Sequence, residues 1–301
     1  AGFVEIGGGS GAFAEIMLKR LLELDALPTR YAILEPSADL RERQRERLGR
    51  RLIPPVFELV EWLDAPPDET WNGVLFANEV IDALPTPRFT LRDGEVFEEG
   101  VALDGEGRFV RTDRPADALL SAAVRHVERY LDAPFPDGYR SELLPQLPYW
   151  IQAVMGGLDK GVMLFADYGY PRREFYQADR DDGTLRAYYR HRVHNDAYLW
   201  PGLQDITASV DFTALAEAGT NAGFDLAGYT TQANFLLGNG LQERLDEAQA
   251  RADEATLLRL RNEAKRLTLP SEMGERFQLM GFSRDVEFGA AFLFNDLSWR
   301  L

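Results

Sequence analysis

A chain of 301 residues with 45% hydrophobic content buries one large core, or one core with a smaller subdomain. Its formal net charge of −16 argues against a surface that coats nucleic acid, because neutralising phosphates takes clustered cations. With no cysteine it is barred from disulfides, Cys-ligated zinc, iron–sulfur clusters and thiol nucleophiles, and no apolar run is long enough to span a bilayer.

Phe3-Val4-Glu5-Ile6 reads as a buried strand running into the turn Gly7-Gly8-Gly9-Ser10-Gly11. From Ala12 a helical pattern follows, with Phe13, Ile16, Met17, Leu21 and Leu24 on one face. Strand, glycine turn and helix N-terminus make a nucleotide-type cradle: the glycines let a ligand approach, and the first helical turn offers unpaired N–H groups. Gly7, Gly9 and Ala12 satisfy the dinucleotide pattern; Gly7, Gly9 and Gly11, with Glu5 two residues ahead, satisfy E-x-G-x-G-x-G, a pattern of S-adenosylmethionine (SAM) enzymes. Glu5 favours the second, since a carboxylate at the strand tip repels a pyrophosphate but suits the ammonium and sulfonium of SAM. An NAD-dependent oxidoreductase stays as the alternative, as does a Gly-rich turn with no ligand.

Arg30 to Pro36 reads as a second strand ending at Glu35, 24 residues past Gly11, where an acid can accept hydrogen bonds from ribose hydroxyls. Ser37 caps a helix to about Leu52, whose charge run from Arg41 to Arg51 reads as a solvated face. A short third strand is predicted over Val56 to Val60, with Trp62 after it as a core residue or an adenine neighbour. Gly73 to Ala77 is the fourth strand, feeding Asn78-Glu79-Val80-Ile81-Asp82-Ala83-Leu84-Pro85. Ligands of open α/β sheets bind at the carboxyl ends of the strands, so Asn78, Glu79 and Asp82 stand where chemistry would happen.

The next parallel-strand signal is Val162 to Ala166, more than eighty residues on, so the sequence predicts an insertion. Phe89 to Arg111 alternates and carries Asp93-Gly94 and Asp104-Gly105, which suggests hairpins; Ala116 to Leu131 and Ser141 to Leu158 read as helices. Further on, His191 and His194 stand i,i+3 with Asp196 and Asp205 nearby. Without a helix signal or a third His, a structural or substrate-contact role is favoured over a metal site, and no metal is assigned. Phe212 to Ala222 reads as a helix, Leu226 to Tyr229 as a sixth strand and Gln242 to Arg266 as one charged outer helix. Phe282 to Val286 and Ala290 to Phe294 read as terminal strands.

Six stretches together resemble the MidA-like SAM-dependent methyltransferases, whose mitochondrial members are complex I assembly factors: Glu5 to Gly11, Ala77 to Pro85, Asp167-Tyr168-Gly169, Gly183 to Arg192, Gln204 to Phe212 and Met273 to Phe277. The resemblance covers essentially the whole chain. It implies an α/β fold, a seven-stranded Rossmann-like methyltransferase sheet with an inserted α+β subdomain between the fourth and fifth strands. The expected division is a SAM-binding domain over 1–87 and 161–301 and a substrate or cap subdomain over 88–160. It further implies SAM as cofactor and symmetric dimethylation of an arginine in a subunit of respiratory complex I, or of the bacterial NADH:quinone oxidoreductase. The location would be cytoplasmic in a bacterium and the mitochondrial matrix in a eukaryote, with a protein substrate, no nucleic acid and no membrane span; a homodimer is left open. The family carries an N-terminal segment before the glycine turn, and a chain starting at Ala1 and inside a strand by Phe3 suggests that upstream residues are lost or not included.

Methyl transfer is a displacement at the sulfonium carbon, so alignment and charge placement carry it. On this reading Glu5 orients the amino-acid end of SAM, Gly7, Gly9 and Gly11 admit it, Glu35 holds the ribose, Trp62 or Leu63 flanks the adenine, and Asn78 faces the methionine part. Glu79 and Asp82, on one face if their segment is helical, would hold a guanidinium, with Asp167, Asp205 and Asp211 in reserve. A non-catalytic SAM-fold assembly chaperone is the other rival.

Overall fold

The computed structural model describes residues 1–190 and 192–301; His191 lies outside the described residues. The chain divides into two compact units, the first formed by residues 1–80, 149–167 and 216–300, the second by residues 81–148 and 168–215 with Leu301.

The first unit begins with β1 (Gly2–Ile6), α1 (Ala12–Glu23), β2 (Tyr31–Leu34), α2 (Ala38–Arg51), the single turn α3 (Pro54–Phe57), β3 (Val60–Leu63) and β4 (Trp71–Asn78). All five residues of β1 are buried, because parallel neighbours β2 and β4 flank it on either side. A parallel strand covered on both faces reads as a continuous apolar run, which is why Glu5 stands out in it. Ser37 caps α2, its hydroxyl accepting the Leu40 N–H at 3.3 Å. The third strand falls later than predicted: Pro54 and Pro55 open a helical turn with Val56 buried in it, and the strand is Val60–Leu63. The buried face of α1 also differs from prediction. Ala14 and Leu18 are buried and Phe13 stacks on Phe76 at 4.4 Å, whereas Ile16 and Leu24 are exposed.

The second unit contains β5 (Arg88–Arg92), β6 (Glu95–Leu103), β7 (Phe109–Pro115), α4 (Ala118–Glu128) and β8 (Arg140–Glu142). The strands form an antiparallel sheet in the order β7-β6-β5-β8, over a core of Phe89, Leu91, Val124, Phe135 and Tyr139. The segment from Ser141 to Leu158, predicted as one helix, is instead the end of β8, a loop and α5 (Leu147–Met155). Next come β9 (Leu158–Tyr170) and α6 (Arg172–Phe175), then β10 (Arg186–Tyr189), β11 (Arg192–His194) and β12 (Asp205–Thr207), a small sheet in the order β11-β10-β12. β13 (Val210–Asp211) pairs with Gly169 and Tyr170 at the end of β9. On β5 of the first of these sheets Arg88 meets Asp182 at 2.7 Å, Glu99 at 3.3 Å and Glu142 at 3.7 Å, so a buried guanidinium holds three carboxylates of this unit.

The chain closes the first unit with α7 (Phe212–Asn221), β14 (Asp225–Thr231), α8 (Gln232–Gly238), α9 (Leu241–Gln249), α10 (Glu254–Thr268) and β15 (Phe277–Arg284). Among the described residues its sheet runs β14-β15-β9-β4-β1-β2-β3, parallel from β9 to β3, with β15 antiparallel to β14. This seven-strand order, with a reversed strand beside the last one, is the expected methyltransferase sheet. The single charged helix predicted over Gln242 to Arg266 is two helices, parted where Asp253 caps α10 by accepting the Thr256 N–H at 2.7 Å. The apolar run Ala290 to Phe294 forms no strand; Phe292 is buried in a cluster with Ala166 and Leu279.

Candidate functional site

The carboxyl ends of β1, β2, β3, β4 and β9 bring Glu5, the glycine turn, Glu35, Trp62, Leu63, Asn78, Glu79 and Asp167 to one edge of the first unit's sheet. The turn after β1 needs its glycines: Gly7, Gly9 and Gly11 have φ of 68°, 49° and 74°, where a side chain is strained. Gly11 is also the N-cap of α1 and supplies no side-chain cap, so the first-turn N–H groups of that helix stay available to a ligand. A Cβ added at Gly9 would meet nothing within 4 Å. The turn is therefore an open cradle floored by backbone.

Glu5 is 3% exposed, and its Oε2 accepts the Tyr31 hydroxyl at 2.7 Å. Burial pushes its carboxyl up from 4.5 to about 7; the Tyr31 hydrogen bond opposes the rise and the nearby Glu35 charge adds to it. Burial thus holds this acid toward its neutral form, and a cation entering the cradle would draw it to the charged one. Glu35, also buried, accepts the Ser37 N–H at 3.1 Å. Arg41 spans the tips of two strands: it donates to the Glu35 carbonyl oxygen and, at 3.0 Å, to that of Leu63. Trp62 is half-buried, with the Arg45 guanidinium 4.7 Å from its ring centroid.

One residue the sequence reading passed over ties these groups together. Gln44 of α2 is completely buried; its Nε2 donates to the Gly9 carbonyl oxygen at 2.8 Å and to Glu35 Oε2 at 3.3 Å, while its Oε1 accepts the Trp62 indole N–H at 2.8 Å. It lies inside the arginine and glutamate run whose charge pattern predicts a solvated face. The available signal was its spacing, four residues from both Leu40 and Leu48 on the inward stripe.

At the tip of β4, Asn78 and Glu79 are exposed, and the Asn78 amide donates to Glu79 Oε1 at 3.2 Å. Glu79 has φ 52°, a left-handed conformation that costs a non-glycine residue about 1–2 kcal/mol. Its N–H continues the ladder to Ala166, and the next N–H, of Val80, reaches the buried Asp167 carboxylate at 3.3 Å. Residues 79–87 form turns and extended chain, so the helical face expected to align Glu79 with Asp82 is not made. Asp82 belongs to the second unit, where its Oδ2 accepts the Tyr168 hydroxyl at 2.6 Å. Asp211 pairs with Arg172 at 3.2 Å, Asp205 opens β12, and the His194 ring packs edge-on against Trp200 at 5.4 Å. Among the described residues no group of three or more His, Asp and Glu gathers as a metal ion requires, and no helix is long and apolar enough to cross a membrane.

A parallel sheet in this order, with a glycine turn and acids at the first two strand tips, defines a class I methyltransferase fold. The model of the S-adenosyl-L-methionine-dependent methyltransferase family Methyltransf_28 matches residues 2–230. A superfamily member from Burkholderia thailandensis, crystallised bound to S-adenosyl-homocysteine, superposes with a TM-score of 0.89 at 39% identity over 100% of this chain and 76% of its own. Among curated proteins, the mitochondrial protein arginine methyltransferase NDUFAF7 of Danio rerio is 30% identical over 68% of this chain and 46% of its own length. The human one is 32% identical over 91% and 64%. The chain thus spans from about half to two thirds of the length of the curated relatives it matches. It belongs to this family of SAM-dependent methyltransferases, and SAM is the family's cofactor. The cradle fits that cofactor, with a buried acid for its cationic end and an open turn that a Cβ would fill.

Proposed function

We propose that the chain uses SAM to methylate a guanidinium nitrogen of an arginine in a protein substrate. The names of the fish and human relatives support that substrate class. A subunit of the NADH:quinone oxidoreductase, dimethylated symmetrically, is the first substrate to test; the reaction would lie in the cytoplasm of a bacterium or the matrix of a mitochondrion. The observation that carries the reading is Glu79. It is an exposed carboxylate steadied by Asn78 and fixed in a left-handed turn at the end of β4, the strand beside the one that leads into the glycine turn. Strained non-glycine backbone concentrates where function holds it.

When bound, the cofactor supplies a methyl group on a positively charged sulfur. Glu5 sets its charge against the amino-acid end, Gly7, Gly9 and Gly11 admit the backbone contact, and Glu35 accepts from the ribose. Trp62 and Leu63 flank the adenine side, and Asn78 faces the methionine part. Glu79 accepts hydrogen bonds from the substrate guanidinium and localises its charge, leaving one nitrogen lone pair exposed for attack. Glu79→Gln should keep S-adenosylhomocysteine (SAH) affinity within about twofold and cut arginine methylation by about a hundredfold or more, measured by mass spectrometry of the substrate subunit. Unchanged turnover removes Glu79 from the reaction.

A further inference from the structure

We infer that Gln44 is a positioning residue for the cofactor, holding the glycine turn and the Glu35 carboxylate at a fixed separation. The inference rests on the placement of the ribose at Glu35 proposed above. Gln44 is 0% exposed, yet it projects from a helix made mostly of arginine, glutamate and leucine. Its amide has only one orientation that satisfies its neighbours. The Trp62 indole nitrogen is a donor only, so the group facing it at 2.8 Å must be Oε1. The two hydrogens on Nε2 then point at two acceptors, the Gly9 carbonyl oxygen and Glu35 Oε2. A flipped amide would set a carbonyl against two acceptors and an NH₂ against a donor. The side chain is therefore held at both ends, and it ties together the turn after β1, the tip of β2 and the indole of β3.

A residue serving only to fill the interior would not need this polarity. Leu40 and Leu48 occupy the same stripe of α2 one turn away on either side, and a leucine at 44 would continue it. The amide also packs against the turn: a Cβ placed on Gly8 would lie 3.1 Å from Gln44 Nε2 and one on Gly11 would lie 3.4 Å from Gln44 Cγ. The contact extends along the turn, beyond the single bond to Gly9.

Titration calorimetry with SAH on the full chain tests this, using Gln44→Leu, Glu35→Ala and the double variant. Gln44→Leu should weaken SAH binding by about tenfold or more, the scale of leaving two buried hydrogen-bond acceptors short of a donor. In the Glu35→Ala background the same change should weaken it distinctly less, because part of its effect runs through Glu35. A purely structural Gln44 would lower the melting temperature and leave the SAH Kd of the folded protein as it was; that result overturns the inference, as does full additivity of the two changes. Glu35→Ala alone reports on the underlying placement: if it leaves SAH affinity intact the ribose assignment fails, whereas a loss there with none at Gln44 fails only the role of Gln44. Gln44→Glu adds a pH profile. Its defect should shrink as the pH falls and the new carboxyl regains a donor proton, while that of Gln44→Leu keeps the same ratio to wild type.

Discussion

Replacing Glu5 by glutamine tests the electrostatics of the cradle on two observables. Burial lifts the Glu5 carboxyl from 4.5 to about 7, against the Tyr31 hydrogen bond and with help from Glu35. The folded chain therefore holds more protons than the unfolded chain between those two values, so stability must fall as pH rises through that window. Below it both states are protonated and nothing is lost; above it the cost of an ionised buried carboxylate is complete. At about 1.4 kcal/mol per pH unit the full excursion is about 3 kcal/mol. In urea titrations, the wild-type chain should lose about 3 kcal/mol between roughly pH 4 and pH 8 beyond what Glu5→Gln loses. The ligand should respond with the opposite sign. A cation in the cradle favours the ionised form, so SAM binding draws a proton from Glu5 and tightens as pH rises. Only about one Glu5 in thirty is ionised at roughly pH 5.5, against about nine in ten at pH 8, so the wild-type Kd for SAM should weaken roughly thirtyfold on going to the lower pH. The glutamine variant should bind weakly and nearly flat across the range. A wild-type Kd that stays level, or a variant that tracks the wild-type slope, refutes the reasoning.

Three further outcomes follow from the same geometry. Gly9→Ala should cost about 1 kcal/mol of stability, since its φ of 49° strains a side chain, but lower SAH affinity by about a hundredfold, because its Cβ occupies the open cradle; equal Kd values would deny that the cradle holds the ligand. Glu79→Gly should raise stability by about 1 kcal/mol in thermal melts by releasing the left-handed strain, while methyl transfer is lost; a destabilised variant would show that the turn is not strained. Arg88→Met should destabilise the chain by about 3 kcal/mol, as it leaves the buried Glu142 without its cation while Glu99 keeps Arg111 and Arg140; a neutral result in chemical denaturation would show that the Arg88–Glu142 pair contributes nothing.

How much of this was legible in the sequence depended on whether one residue's environment came from its own segment. β1 is a buried parallel strand and β4 a partly buried one, and both read as apolar runs; the glycine turn was plain because only glycine suits three positive φ values in five residues. β3 was misplaced because Pro54 and Pro55 start a helical turn as readily as they bound a strand, and Val56 is buried either way. Ala290 to Phe294 has strand composition, yet Phe292 fills space over Gly228 and Gly281, where side chains are missing from other strands; that demand is invisible locally. Gln44 is the sharpest case. Its neighbours in sequence are charged and solvated, and what makes it buried and polar is the convergence of a carbonyl, a carboxylate and an indole from three other segments. The residues proposed to touch the cofactor were recognisable from their own motif. The residue that holds them in register was not, because its role exists only once the sheet has formed.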